Sequence, residues 1–266
     1  MMSIFKKKQA PVKNTGPQLI SENAPFEYVE AYNAFRTNFN FVTVTGKNRK
    51  VLVTSTIRDE GKTSLSINLA ISLAQAGAKV LLIDADMRNP SVHRYMRLKK
   101  DPNAGLSNLL TGEVKVGACM ISTDTGVDVI AGGSIPPNPA ELIGSDAMKN
   151  LLDVAAEHYD FIICDAPPVG VITDAAALSP LCDGVLFVIR QKFANRNQIW
   201  AAIKSLQTVN AKILGTILTQ YEIPKKPSKY HKSSVDYYGY YTSEETASEA
   251  GEEKQAESLQ NKEELK

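Results

Sequence analysis

The sequence predicts an α/β fold in three layers, a mostly parallel β-sheet with helices on both faces, and three observations carry that prediction. Short runs of Val, Ile and Leu recur without polar alternation, helix-length stretches separate them, and several of the runs end on carboxylates or turn-forming residues. Strands without alternation are buried on both sides, and strands separated by helices pair in parallel. Val51-Leu52-Val53-Thr54 reads as the first buried strand, and a helix over residues 64–76 follows it, ended by Gly77. Val80-Leu81-Leu82-Ile83 and Val127-Asp128-Val129-Ile130 are the next strands. A helix over residues 140–158 leads into Phe161-Ile162-Ile163-Cys164. Val185-Leu186-Phe187-Val188-Ile189, a helix over 197–209 and a strand over 213–218 complete the series. Sheets of this kind bind ligands beyond the carboxyl ends of their strands, so the chemistry is expected there.

A chain of 266 residues that is 43% hydrophobic can bury one full-sized core. Lys+Arg 30 against Asp+Glu 29 gives net +1, which argues against a basic nucleic-acid binder and against an acidic disordered protein. The longest apolar runs fall far short of the roughly 20 residues of a membrane span. Lys6-Lys7-Lys8 is followed by Gln9, Pro11 and Asn14 and not by an apolar leader, so a cytosolic chain is expected. Cys119, Cys164 and Cys182 lack CxxC spacing and read as buried free thiols. The charge is unevenly spread. Residues 1–13 carry four lysines and no acid, whereas residues 236–264 hold nine acids against Lys254 and Lys262, a net of −7. The expected organisation is a flexible basic arm over 1–24, a folded body over 25–221, and a disordered tail over 222–266, tyrosine-rich and then acidic.

The first strand runs into Thr56-Ile57-Arg58-Asp59-Glu60-Gly61-Lys62-Thr63 and then a helix, the strand–loop–helix setting of a phosphate-binding loop. In such a loop, backbone N–H groups and the helix N-terminus meet phosphate, Lys62 supplies a point charge, and Thr63 offers a hydroxyl to Mg²⁺. The second strand ends in Asp84-Ala85-Asp86-Met87-Arg88, and a later one in Asp165-Ala166-Pro167-Pro168. Carboxylates that follow buried apolar strands cost desolvation unless a cation compensates them. Asp84, Asp86 and Asp165 at the edge where Lys62 and Thr63 emerge therefore fit a Mg²⁺–nucleotide site, with some acids acting through water.

At these residues the chain resembles the bacterial protein-tyrosine kinases of exopolysaccharide and capsule synthesis, in their separate cytoplasmic form. The resemblance covers about residues 26–241. It rests on Glu60-Gly61-Lys62-Thr63, on Leu81-Leu82-Ile83-Asp84-Ala85-Asp86-Met87-Arg88, on the run ending Asp165-Ala166-Pro167-Pro168, and on Pro136-Pro137-Asn138-Pro139-Ala140-Glu141-Leu142. It implies a P-loop NTPase fold, ATP and Mg²⁺ as cofactors, and nucleotide contacts from Asp59, Glu60, Gly61, Lys62, Thr63 and Ser64. Thr63, Asp86 and Asp165 would hold the metal or its waters. Asp84 would act as base, an assignment over Asp86 that follows the resemblance and not the residues themselves. A homo-oligomer, a transmembrane adaptor of the polysaccharide co-polymerase type, a cognate tyrosine phosphatase and a peripheral place at the inner membrane face are also implied. The family's Glu-x-x-Arg-x-x-Arg oligomer contact appears as Glu30, Asn33 and Arg36, with Asn in the middle. Arg58-Asp59 stands where members often carry Pro-Gly, and Thr219 stands where an Asn near the base is expected.

Six of the ten tyrosines fall between residues 221 and 241, among Lys, Ser, Asp and Gly. A core strand would need apolar neighbours, so the cluster reads as exposed, and the resemblance makes Tyr230, Tyr237, Tyr238, Tyr240 and Tyr241 the phosphoacceptors. Two other readings share these motifs. A positioning ATPase of the MinD/ParA type has the same fold, but Ile57 stands where its signature lysine belongs. A nucleotide-dependent scaffold without catalysis is the other. Nucleic-acid binding has no recognised reading module here.

Overall fold

The computed structural model describes residues 18–21, 23–44, 50–99 and 101–222. The basic start, the tail tyrosines from Tyr230 onward and the acidic run lie outside these residues. The elements are, in chain order, α1 (Phe26–Val44), β1 (Lys50–Ser55), α2 (Lys62–Gln75), β2 (Val80–Asp84), α3 (Val92–Tyr95), α4 (Leu106–Leu110), α5 (Val116–Cys119), β3 (Met120–Ser122), β4 (Val127–Ile130), α6 (Pro139–Ile143), α7 (Asp146–His158), β5 (Phe161–Asp165), α8 (Asp174–Leu178), β6 (Gly184–Arg190), α9 (Arg196–Thr208) and β7 (Ile213–Thr219). Among the described residues the strands form one seven-stranded sheet in the order β3-β4-β2-β5-β1-β6-β7. All pairings are parallel except β3 with β4, so the sheet is doubly wound with one antiparallel edge.

Side-chain alternation splits the strands between two cores. Val51 and Val53 enter the layer of α1 and α2, with Leu65, Leu69 and Phe39. Leu52 between them enters the layer of α7, α8 and α9, with Met148, Leu152, Ala202 and Leu206. Helix α2 lies between the sheet and α1 and is buried almost throughout, which is why its sequence is apolar on more than one side. Arg36 Nη1 donates to Ser72 O at 2.7 Å and to Ser72 Oγ at 3.1 Å, tying α1 onto α2.

Three differences from the sequence reading have physical causes. Residues 18–21 belong to the body and not to an arm: Ile20 is buried, and its N–H donates to Asn68 Oδ1 at 2.7 Å. The helix expected over 140–158 is two helices. Ser145 caps α7 by accepting from Met148 N, a stronger local choice than continuing through Gly144. Cys182 is half-buried, where burial was expected, because it stands in the connection just before β6.

Candidate nucleotide and phosphoryl-transfer site

Strands β2, β5 and β1 are adjacent, and their carboxyl ends bring three remote segments to one edge. Asp84 and Asp165 are register partners across β2 and β5, so two carboxylates sit side by side at the strand ends.

The turn after β1 is built to present its backbone. Gly61, just before α2, has φ +89, and Asp59 has φ 63, both in the left-handed region. Glycine takes that region at no steric cost, and Asp tolerates it better than most residues. Glu60 braces the turn from beneath. It is fully buried; its Oε2 accepts from Ile57 N at 2.8 Å and its Oε1 from Arg190 N at 3.3 Å. Thr219, at the end of β7, donates from Oγ1 to Glu60 O at 2.6 Å. Thr219 is thus a brace for the loop, a role its sequence position did not reveal. Of the predicted phosphate-loop residues, Asp59, Gly61, Lys62, Thr63 and Ser64 line a cleft of about 160 Å³, whereas the Glu60 carboxylate is turned into the body.

Lys62 and the three aspartates meet. Lys62 Nζ lies 3.3 Å from Asp86 Oδ2 and 3.4 Å from Thr63 Oγ1. Burial works against the Lys62 ammonium, yet the fields of Asp165, Asp86 and Asp84 outweigh it and hold its pKa above the ordinary value. Asp86 Oδ1 accepts from Asn89 N at 3.0 Å, which turns the chain back toward the cleft. Asp165 Oδ1 accepts from Ser66 Oγ at 3.1 Å, and Asp84 Oδ2 accepts from Ser91 N at 2.9 Å and Val92 N at 3.0 Å. Thr63 and Ser91 share a hydroxyl–hydroxyl hydrogen bond of 3.3 Å.

Two buried oxygens, Asp84 Oδ1 and Asp165 Oδ2, have no hydrogen-bond partner within the protein. Burial, reinforced by the neighbouring Asp165, pushes Asp84 up to about 8. Burial also raises Asp165, against the opposing pull of Lys62, Thr63 and Ser66. Unpartnered buried carboxylate oxygens are costly and call for a proton or a cation. Among the described residues no three His, Cys, Asp or Glu side chains form a cage of protein ligands. A cation that takes few protein ligands and completes its shell with water and phosphate is the kind these donors fit.

Sequence reasoning missed the second wall of the cleft. Asn89, Ser91, Arg94 and Tyr95 line it, and Arg58 of the loop after β1 joins the P-loop residues on the first wall. Sequence reasoning also gave Arg88 no partner; the Arg88 guanidinium donates to both oxygens of buried Asp174 at 2.8 and 3.0 Å, linking the turn after β2 to α8. The 86-residue separation hides that pair from any local pattern. Glu30 and Arg36 are remote from the cleft on α1, where Glu30 accepts from Asn33 Nδ2 at 2.7 Å.

A glycine-bearing turn between a buried strand and a helix, a lysine at that helix start, and carboxylates on the two neighbouring strand ends define a P-loop nucleotide-binding protein. Residues 59–215 match the family described as AAA domain. The chain is 38% identical over 213 residues to the tyrosine-protein kinase YwqD of Bacillus subtilis (strain 168), covering 80% of this chain and 85% of that one. Among solved structures, the kinase domain of Escherichia coli tyrosine kinase ETK superposes with a TM-score of 0.68 at 30% identity, over 79% of this chain and 87% of that one. The chimerical protein CapA2B2 superposes with a TM-score of 0.70 at 34% identity, over 76% and 87%. The chain belongs to the bacterial tyrosine-protein kinase family and is a tyrosine-protein kinase. Among the described residues no helix is long and apolar enough to cross a membrane.

Proposed function

We propose that the protein transfers the γ-phosphoryl group of ATP to tyrosines of its own C-terminal segment, Tyr230, Tyr237, Tyr238, Tyr240 and Tyr241, and thereby regulates exopolysaccharide or capsule synthesis. The observation that carries the reading is the meeting of Lys62, Thr63, Asp84, Asp86 and Asp165 at one sheet edge, with two buried carboxylate oxygens left unpartnered. Phosphoryl transfer asks the protein mainly for alignment and for charge placed in advance. The backbone of the loop ending at Gly61, with Ser64 in the first turn of α2, meets the phosphates. Lys62 leaves Asp86 for the β/γ oxygens, which frees Asp86 Oδ2. Thr63, Asp86 and Asp165 are the residues that would hold Mg²⁺ or its waters, and bound Mg²⁺ neutralises charge on the transferred group. Asp84 is assigned as the acceptor of the tyrosine proton late in transfer; its raised pKa supports proton handling near neutrality. Asp86, which lines the cleft, is the competing choice.

Around this chemistry the reading places a homo-oligomer with Glu30 and Arg36 of α1 at the contact, a transmembrane adaptor that activates the kinase at the inner membrane face, and a tyrosine phosphatase that resets the tail. Arg36 is already bound to Ser72, but a guanidinium has further donors to offer a neighbour. Each phosphate adds about −1.5 to −2 charge. Added to a segment of net −7, several phosphates expel the tail and loosen the oligomer.

The test is the full chain with ATP and Mg²⁺, with and without an adaptor's cytoplasmic peptide, followed by phosphotyrosine detection. Lys62→Met and the variant with all five tyrosines changed to Phe are expected to lose the signal. A signal that survives Lys62→Met removes the site assignment. Bound nucleotide without phosphotyrosine returns the chain to the scaffold reading, and ATP turnover without it to the positioning-ATPase reading.

A further inference from the structure

Arg58 and Arg94 line the same cleft as Lys62 and Asp86, and both are exposed. Arg94 belongs to a run, residues 87–100, in which Arg88, Arg94, Arg97, Lys99 and Lys100 are cationic and no acid occurs. Arg88 is committed to Asp174. Among the described residues, the exposed Arg58, Arg94, Arg97 and Lys99 form no ion pair, whereas Lys50, Lys62 and Arg88 each have a carboxylate. Arg58 and Arg94 line the cleft, and Arg97 and Lys99 follow Arg94 within five residues along the chain. Uncompensated charge beside a cleft steers ions of the opposite sign into it.

We propose that Arg58, Arg94, Arg97 and Lys99 form a docking rim for acidic, tyrosine-bearing peptide segments, with this chain's own residues 228–264 as the first example; the proposal rests on the reading of the tail as substrate. A phosphoacceptor entering the cleft must pass Arg58, Arg94 and Tyr95, which line it. The tyrosine cluster is followed directly by residues 242–264, which hold eight acids against Lys254 and Lys262, a net of −6. A rim that holds the acids presents the tyrosines just before them to Lys62 and Asp86. Contacts between exposed charges raise encounter rates and specificity, and they weaken with salt.

The experiment uses the full chain with its five tail tyrosines changed to Phe, so that its own tail does not compete as substrate. Two peptides spanning residues 228–253 are offered with ATP and Mg²⁺. One is natural, and the other carries Gln at positions 244, 245, 249, 252 and 253. The natural peptide is expected to show a KM about tenfold lower at low salt, the sum of several weak pairs, and the advantage should collapse in about 0.5 M salt. Arg97→Glu combined with Lys99→Glu should raise the KM of the natural peptide about fivefold or more. That change should leave the KM of the Gln-substituted peptide and that of ATP where they were. Equal KM values for the two peptides overturn the docking rim while the kinase reading stands. So does a change confined to the KM of ATP, which would assign the cations to nucleotide. If the double variant loses binding to phosphatidylserine vesicles with peptide KM unchanged, the patch is a membrane surface and the proposal falls. If neither peptide is phosphorylated, the reading of the tail as substrate falls, and the rim with it.

Discussion

The turns after β1 and β2 leave the same edge of the sheet with only β5 between them, and they are built for opposite charges. The turn after β1 offers N–H groups and Lys62, and its left-handed residues, Asp59 and Gly61, are held by Glu60 and Thr219 from the far side. The turn after β2 offers carboxylates, and it is held by its own backbone: Asn89 N on Asp86, and Ser91 N and Val92 N on Asp84. The first presents donors shaped by tertiary braces. The second presents carboxylates shaped largely by local hydrogen bonds. Asp165, on β5, stands between them and belongs electrically to both.

The comparison breaks most visibly at Asp165. Asp165→Asn keeps the side chain's shape and removes the charge shared by the two turns. Phosphotransfer should fall by about 10²–10³. The ligand-free protein should melt higher, because a fully buried carboxyl beside Asp84 no longer has to be ionised or protonated. Activity measured beside a thermal melt checks both, and loss of activity with a lower Tm would make Asp165 a structural residue.

Glu60 tests the tertiary bracing. Glu60→Ala leaves Ile57 N and Arg190 N without their buried acceptor, a cost of about 1–3 kcal/mol. A lower urea midpoint and weaker nucleotide binding are expected together, although the Glu60 side chain never reaches the cleft. The turn after β2 reaches a distant side chain only through Arg88 and Asp174; its carboxylates Asp84 and Asp86 take their backbone hydrogen bonds from amides within eight residues.

The acidic turn should instead show itself through pH. Asp84 holds its proton to about 8 in the fold, against an ordinary value of 3.8. Between those values the native state binds more protons than the unfolded one, so stability falls as pH rises through that window and levels off above it. Urea unfolding of the ligand-free protein from pH 5 to 9 should reveal the slope, and Asp84→Asn should flatten it. Nucleotide with Mg²⁺ should likewise bind more tightly as pH rises toward 8, since ionising Asp84 adds negative charge beside Asp86 and Asp165, the residues proposed to hold the cation.

These two turns also divide what was legible from sequence. The strands were readable because runs such as residues 80–83 have no polar interruption, and their carboxylates were readable because they end such runs. The local half of the site, Lys62 with Thr63 and Asp84 with Asp86, could be read from spacing. The braces could not: Thr219 lies 159 residues from Glu60, and the Arg190 amide 130. β3 was missed for the same reason. Met120-Ile121-Ser122 is too short and too exposed to carry a pattern, and pairing with β4 alone makes it a strand. The left-handed backbone of Asp59, at φ 63, needs no distant partner, because Asp tolerates that region better than most residues.

Asp59 gives the finest test of the anion site. It is an acid on the wall of a cleft meant for phosphates, at a left-handed position where glycine is the cheaper residue. Asp59→Gly relieves the backbone but frees the unfolded chain, two effects that nearly cancel, so stability should stay within about 0.5 kcal/mol. Removing the anion should tighten nucleotide binding by about two- to fivefold at low salt, with the gain shrinking as ionic strength rises. Asp59→Asn separates the causes, since Asn keeps the tolerance for this backbone and loses only the charge. Equal gains for Gly and Asn, measured by titration of a fluorescent ATP analogue, would assign the effect to charge. A gain for Gly alone would mean that strain in the turn, and not the field of Asp59, limits how well the loop closes on phosphate.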